Sequence, residues 1–186
     1  MSLPDRLTLK KMIAVFLLFA VLLIAGCVED PSDWKSRGDQ LLSTDHYEEA
    51  VLAYDRALDL DPADPVVWNN RGYALYQLNR YDEAVQSCDS ALLIDPVYAD
   101  AWNTRGGALA ASGYFEEAIV SYDRALESDF ESVIVWNNRG VALARLGRYE
   151  EAVESYDRAL ALDPEYDLAG LNRAKAIARL SRMETS

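Results

Sequence analysis

Two cysteines, Cys27 and Cys88, and one histidine, His46, are all that 186 residues offer for thiol or imidazole chemistry. His46 stands alone in a turn. Acidic residues are plentiful, but their spacing does not suit catalysis. Glu48-Glu49, Asp82-Glu83, Glu116-Glu117 and Glu150-Glu151 are adjacent pairs, which point to different faces of a helix. Asp59, Asp61 and Asp64 cluster in a turn without the spacing or the glycine of a calcium loop. No nucleophile–base or metal set emerges, so neither catalysis nor a cofactor is expected. The net charge of −13 sets aside a general nucleic-acid binder, because phosphate contacts need clustered Lys and Arg. What recurs instead is the side-chain amide. Asn69-Asn70, Asn103-Thr104 and Asn137-Asn138 each follow a tryptophan, at Trp68, Trp102 and Trp136, as Lys35-Ser36 follows Trp34. Asn is a poor helix former. Its two donors and one acceptor suit the backbone of an extended peptide.

The first thirty residues differ in kind. Arg6, Lys10 and Lys11 precede the uncharged apolar run Met12–Ala25, which is too short to span a bilayer as a helix and reads as a secretory signal. It ends in Ile24-Ala25-Gly26-Cys27, which resembles the lipobox of prokaryotic lipoproteins. The resemblance implies cleavage before Cys27 and a diacylglyceryl group on its thiol. Residues 1–26 are then a signal peptide, and 27–30 are a lipidated cysteine with a short spacer reaching at most about 15 Å. The folded part is expected close to a membrane, on its outer side, periplasmic or extracellular. Since Cys27 carries lipid on this reading, no disulfide with Cys88 is expected.

The four tryptophans step by 34 residues, which divides the chain into units 31–64, 65–98, 99–132 and 133–166. Counting places within a unit, Trp is at 4, Gly at 8, Ala at 20 and 27, and Pro at 32 in three units. This pattern resembles the tetratricopeptide repeat (TPR). The resemblance implies an all-α, right-handed solenoid of four helix pairs, with residues 167–186 as a capping helix and tail. Asp45, Asn79, Gly113 and Gly147 share place 15 and tolerate the left-handed end of a first helix. Phe130 stands where the other units have Pro, so that junction is expected to be looser or bent. Cys88 takes place 24, where the other units have Tyr54, Tyr122 and Tyr156, and reads as an inert buried thiol. Arg at place 7 and Asp at place 25 suggest a ladder of ion pairs between helices. The cap is locally basic, with Arg173, Lys175, Arg179 and Arg182 read as its solvated outer face.

In TPR proteins the first helices line a concave groove, through places 2, 5, 6, 9, 12 and 13. The resemblance therefore assigns an unidentified protein or peptide partner to Lys35, Asn69, Asn70, Tyr73, Tyr76, Gln77, Asn103, Thr104, Asn137, Asn138 and Asn172. Tyr73 and Tyr76, beside the small residues Gly107, Ala110 and Ala111, are expected to form a pocket for an apolar side chain. Some TPR proteins clamp a C-terminal carboxylate with Lys and Asn side chains. Lys35 and Asn70 match that clamp, but Asp39, Asp100 and Thr104 replace its other members, which speaks against it. The expected function is a membrane-tethered, non-catalytic adaptor; the alternative is a structural subunit that self-associates. If the asparagines contact a ligand, replacing Asn70, Asn103 and Asn138 with Ala leaves stability nearly intact.

Overall fold

The computed structural model describes residues 30–184, and all the regular structure among them is helical. The helices are α1 (Pro31–Ser43), α2 (Tyr47–Leu60), α3 (Pro65–Gln77), α4 (Tyr81–Ile94), α5 (Ala99–Ala111), α6 (Phe115–Ser128), α7 (Val133–Arg145), α8 (Tyr149–Leu162) and α9 (Asp167–Glu184). Local chemistry sets their ends. Asp30 and Asp64 cap α1 and α3, accepting backbone N–H groups from Ser32 and from Val66 and Val67, and a proline follows each cap at the first helical position. Each second helix opens on its acid pair, where negative charge suits the helix dipole.

The turn inside each pair is a left-handed helix end. Asp45, Asn79, Gly113 and Gly147 have φ of 60°, 59°, 88° and 76°. The N–H of the next residue returns to the carbonyl at place 11, as in Arg80 to Leu75 at 2.9 Å and Arg148 to Leu143 at 3.0 Å. The turn between pairs rests on an aspartate whose recurrence the sequence pattern did not single out. Asp61, Asp95, Asp129 and Asp163 each accept the N–H two residues on, at 3.0 to 3.2 Å. Tryptophan closes the same junction: Trp68, Trp102 and Trp136 donate their indole N–H to the carbonyls of Pro62, Pro96 and Phe130, each at 2.9 Å. The expected loosening at Phe130 is therefore absent. The bonds at that junction come from Asp129 and from a backbone carbonyl, not from the proline ring. Phe130 also packs edge-on against Trp136, with ring centroids 5.3 Å apart.

Within a pair the two helices meet through glycine and tyrosine. A Cβ on Gly38, Gly106 or Gly140 would lie 2.4 to 2.6 Å from the ring of Tyr54, Tyr122 or Tyr156, so only glycine admits these rings. In the second pair Cys88 replaces the tyrosine and packs against Gly72. Burial pushes its thiol pKa up to about 12, with Asp89 adding to the effect, so it stays protonated and unreactive at neutral pH.

Successive first helices touch one another (α1 with α3, α3 with α5, α5 with α7, α7 with α9), whereas successive second helices do not. The stack therefore curves, with first helices on its inner side. Helix α9 is a first helix without a partner from its own unit. It covers α8 through Ala169 and Ala176. It leaves Ile177 40% exposed, where Leu75 and Leu143 at the same place are 0% exposed.

Candidate interaction groove

The inner face carries two adjoining cavities. One, of about 420 Å³, has Gly107, Ala110 and Ala111 on its floor and Tyr76, Phe115 and Asn138 among its walls. The small-residue pocket expected beside Tyr76 is thus present. The next helix closes it, and Tyr73, 40% exposed, stands outside it at 6.4 Å from Tyr76 between ring centroids. The second, of about 540 Å³, lies between α7 and α9 and is lined by Tyr149, Tyr156, Asn172, Lys175 and Arg179 with Val141 and Ala144. Burial lifts the Tyr156 phenol to about 12, so it adds no negative charge there. Val141 and Arg145 border both cavities, so the two lie side by side.

The asparagines divide by place. Asn69 and Asn137 are 6% and 2% exposed and turn into the stack rather than toward the groove. Place 6 reaches across to the preceding first helix. Asn138 donates its amide to Asn103 at 3.3 Å, and Asn172 donates to the buried Asn137 at 3.0 Å. Asn70 donates to Asp39 at 3.0 Å, which also accepts the hydroxyl of Tyr54 at 2.8 Å. At the one intervening step place 6 is Thr104, and the buried Oδ1 of Asn69 has no hydrogen-bond partner among the described residues. The amides thus tie neighbouring first helices together. Asn138 and Asn172 also border the cavities, whereas Asn103, Thr104 and Gln77 are half-buried beside them.

Lys35, matched to the carboxylate clamp, is committed elsewhere. Its ammonium lies 2.7 Å from Asp64, the cap of α3. Arg71, Arg105 and Arg139 form the expected ladder: each Nε donates to Asp55, Asp89 or Asp123 of the preceding pair at 2.6 to 2.8 Å. Arg173 bonds Asp157 in the same way. The ladder has a rung that sequence reasoning missed. The Nη1 of each of the first three donates to Ser87, Ser121 or Ser155 at 2.7 to 2.8 Å. Each of these guanidinium groups also sits 5.7 to 5.9 Å from the centre of its own unit's tryptophan. The signal was available in the sequence, since the serines also recur every 34 residues.

His46 precedes α2, and its Nδ1 meets the backbone carbonyl and the hydroxyl of Thr44. No group of three or more potential metal ligands is gathered among the described residues. Cys27 lies outside the described residues, and none of the described helices is long and apolar enough to cross a membrane.

A curved stack of antiparallel helix pairs with an open inner face defines the class. Within it, the chain belongs to the tetratricopeptide repeat family, whose models match residues 36–101, 99–132 and 133–166. No curated protein matches the sequence. Among solved structures, the crystal structure of MamA is similar at 18% identity and a TM-score of 0.65, covering 80% of this chain and 97% of that one. That likeness is one of fold alone. The first TPR of Spaghetti (RPAP3), solved bound to the HSP90 peptide SRMEEVD, is 28% identical with a TM-score of 0.62, over 63% of this chain and 94% of that one. The Arabidopsis OM64 TPR domain is 25% identical with a TM-score of 0.58, over 60% and 93%.

Proposed function

We propose that this protein is a non-catalytic adaptor that holds a peptide or protein segment along the inner face of its helix stack. In this reading a lipid on Cys27 tethers it to the outer side of a membrane. The observation that carries the groove assignment is the pair of adjoining cavities between Tyr76 and Arg179, where the small residues Gly107, Ala110, Ala111, Val141 and Ala144 leave room for side chains of a second chain. The peptide-bound RPAP3 structure supports the same use of a related stack. The tether is supported by the Ile24–Cys27 sequence after its short apolar run.

A photo-reactive residue in place of Tyr73, at the open edge of these cavities, tests the groove. A discrete cross-linked partner is expected, and the same residue placed at Leu93 on an outer helix should not capture it. Equal capture from both positions refutes the groove as the binding face. Labelling with a radioactive fatty acid tests the tether, since Cys27→Ser should lose the label that the wild type carries. The alternative, a subunit that stacks on itself, is favoured by the exposed apolar face of α9 around Leu171 and Ile177. Concentration-dependent association on dilution, without a groove partner, would support it.

A further inference from the structure

On an acidic chain the cations are expected to be neutralised locally, and most of the described ones have a partner. Among the described residues, lysines and arginines pair with a carboxylate, as Arg71, Arg105 and Arg139 do. Two others stack on a ring, Arg37 on Trp34 and Arg158 on Phe130. Arg182 too is engaged. Three of the described side chains have neither kind of partner: Arg145, Lys175 and Arg179. All three line the same 540 Å³ cavity at the C-terminal end of the groove. They come from two helices that are neighbours only in the folded stack, with Arg145 in the last turn of α7 and the other two on successive turns of α9. The expectation that Lys175 and Arg179 belong to a solvated outer face is thereby corrected, because places 9 and 13 of α9 turn to the inner side. Only Arg173 of that basic set is spent on the ladder, through Asp157. Three unpaired cations on one cavity wall repel one another, so they gain most from an external anion.

We infer that this end of the groove receives an acidic peptide segment, one with clustered Asp or Glu side chains. The inference rests on the groove reading above and names the chemistry of its occupant. Carboxylates would sit between Arg145 and the pair Lys175 and Arg179. The amide of Asn172 lines the same wall, and the protonated phenol of Tyr156 sets no negative charge against them. Because Arg145 also borders the 420 Å³ cavity, the segment would continue with an apolar side chain over Gly107 and Ala110. None of these residues is a member of the carboxylate clamp matched by Lys35 and Asn70.

Fluorescently labelled deca-glutamate and deca-glutamine are titrated into the full-length protein at low and physiological salt, with anisotropy as the readout. Deca-glutamate should bind, more weakly as salt rises, and deca-glutamine should not. The triple variant Arg145→Gln, Lys175→Gln, Arg179→Gln should weaken deca-glutamate binding by about tenfold or more, the product of three partly exposed charge contacts. Its thermal midpoint should not fall, because none of the three holds an internal partner and their mutual repulsion is relieved. Equal binding by the triple variant, or no preference for glutamate over glutamine, overturns the inference. So does anionic phosphatidylglycerol vesicle binding that depends on these three residues while deca-glutamate fails to bind, which would make the occupant a membrane surface. Capture from the Tyr73 position separates the two readings. If a partner is cross-linked there while deca-glutamate does not bind, the groove stands and its acidic preference falls.

Discussion

At the residue scale the asparagines are the test of how a repeated side chain is to be understood. Their recurrence against helix propensity marked them as having a tertiary reason, and the sequence could not say whether that reason was a ligand or a neighbour. The geometry gives most of them a neighbour. Asn138 and Asn172 each reach one helix back to an amide oxygen, and Asn137 is closed off from any ligand. The expectation that alanine at Asn70, Asn103 and Asn138 leaves stability intact is thus reversed, because two of those residues donate between helices. Asn172→Ala is expected to cost about 1–3 kcal/mol, since it strands the buried oxygen of Asn137. The converse change is Thr104→Asn. At this step alone among the last three, place 6 lacks an amide, and the buried Asn69 oxygen lacks a donor. Supplying one should stabilise the protein by about 0.5–1.5 kcal/mol. Urea midpoints measure both variants. A Thr104→Asn protein less stable than wild type would show that the amide does not reach Asn69.

At the element scale the junctions between helix pairs decide rigidity, and they were only partly legible in the sequence. Arg and Asp recur at fixed places with opposite charge, so their ladder could be anticipated. The serine could not be picked out as easily, because the first unit has Ala53 at its place and serine is a common exposed residue. The aspartate of each connecting turn was overshadowed by the neighbouring proline, so the departure at Phe130 was expected to matter more than it does. Glycine at place 8 was visible as a close approach. That it faces tyrosine at place 24 of the same pair follows only from helix crossing, which no one-dimensional pattern contains. The ladder makes a specific prediction. Arg105 serves Asp89, Ser121 and the face of Trp102 with one planar fork, and an ammonium cannot replace that geometry. Arg105→Lys should cost about 1–2 kcal/mol, with partial exposure holding the figure down. Arg37→Lys should cost less, because Arg37 only stacks on Trp34. Equal losses in urea unfolding would remove the three-way bridge from the account of the junction.

At the scale of the whole molecule the charges pull in two directions as the solution is acidified. A chain at −13 loses self-repulsion as its carboxylates are protonated, which favours the compact stack. Against this, Asp30, Asp64, Glu83 and Glu151 all hold their protons less tightly than usual in the folded state. Glu83 and Glu151 owe this chiefly to the exposed arginines Arg80 and Arg148, and Asp30 to its exposed bonds with Ser32, so these three contribute little to stability. Asp64 differs. Burial works to raise its pKa, yet the Lys35 ammonium and the N–H groups of Val66 and Val67 outweigh it, and the net shift is downward. A carboxylate whose folded pKa is depressed stabilises the fold above its unfolded value. That stability is lost as the pH falls through the folded value. The window therefore opens near pH 4, the ordinary value for aspartate, and extends below it. Asp64 both caps α3 and binds α1 through Lys35, so the loss falls on the first junction of the stack. Wild-type stability should hold level from neutral pH to about 4 and then decline. Asp64→Asn keeps the cap, since Asn caps as well as Asp. It should be less stable at neutral pH and show a shallower acid decline. Urea midpoints from pH 7 down to 3 decide it. Parallel curves for the two proteins would mean that the acid sensitivity of the stack lies in another carboxylate.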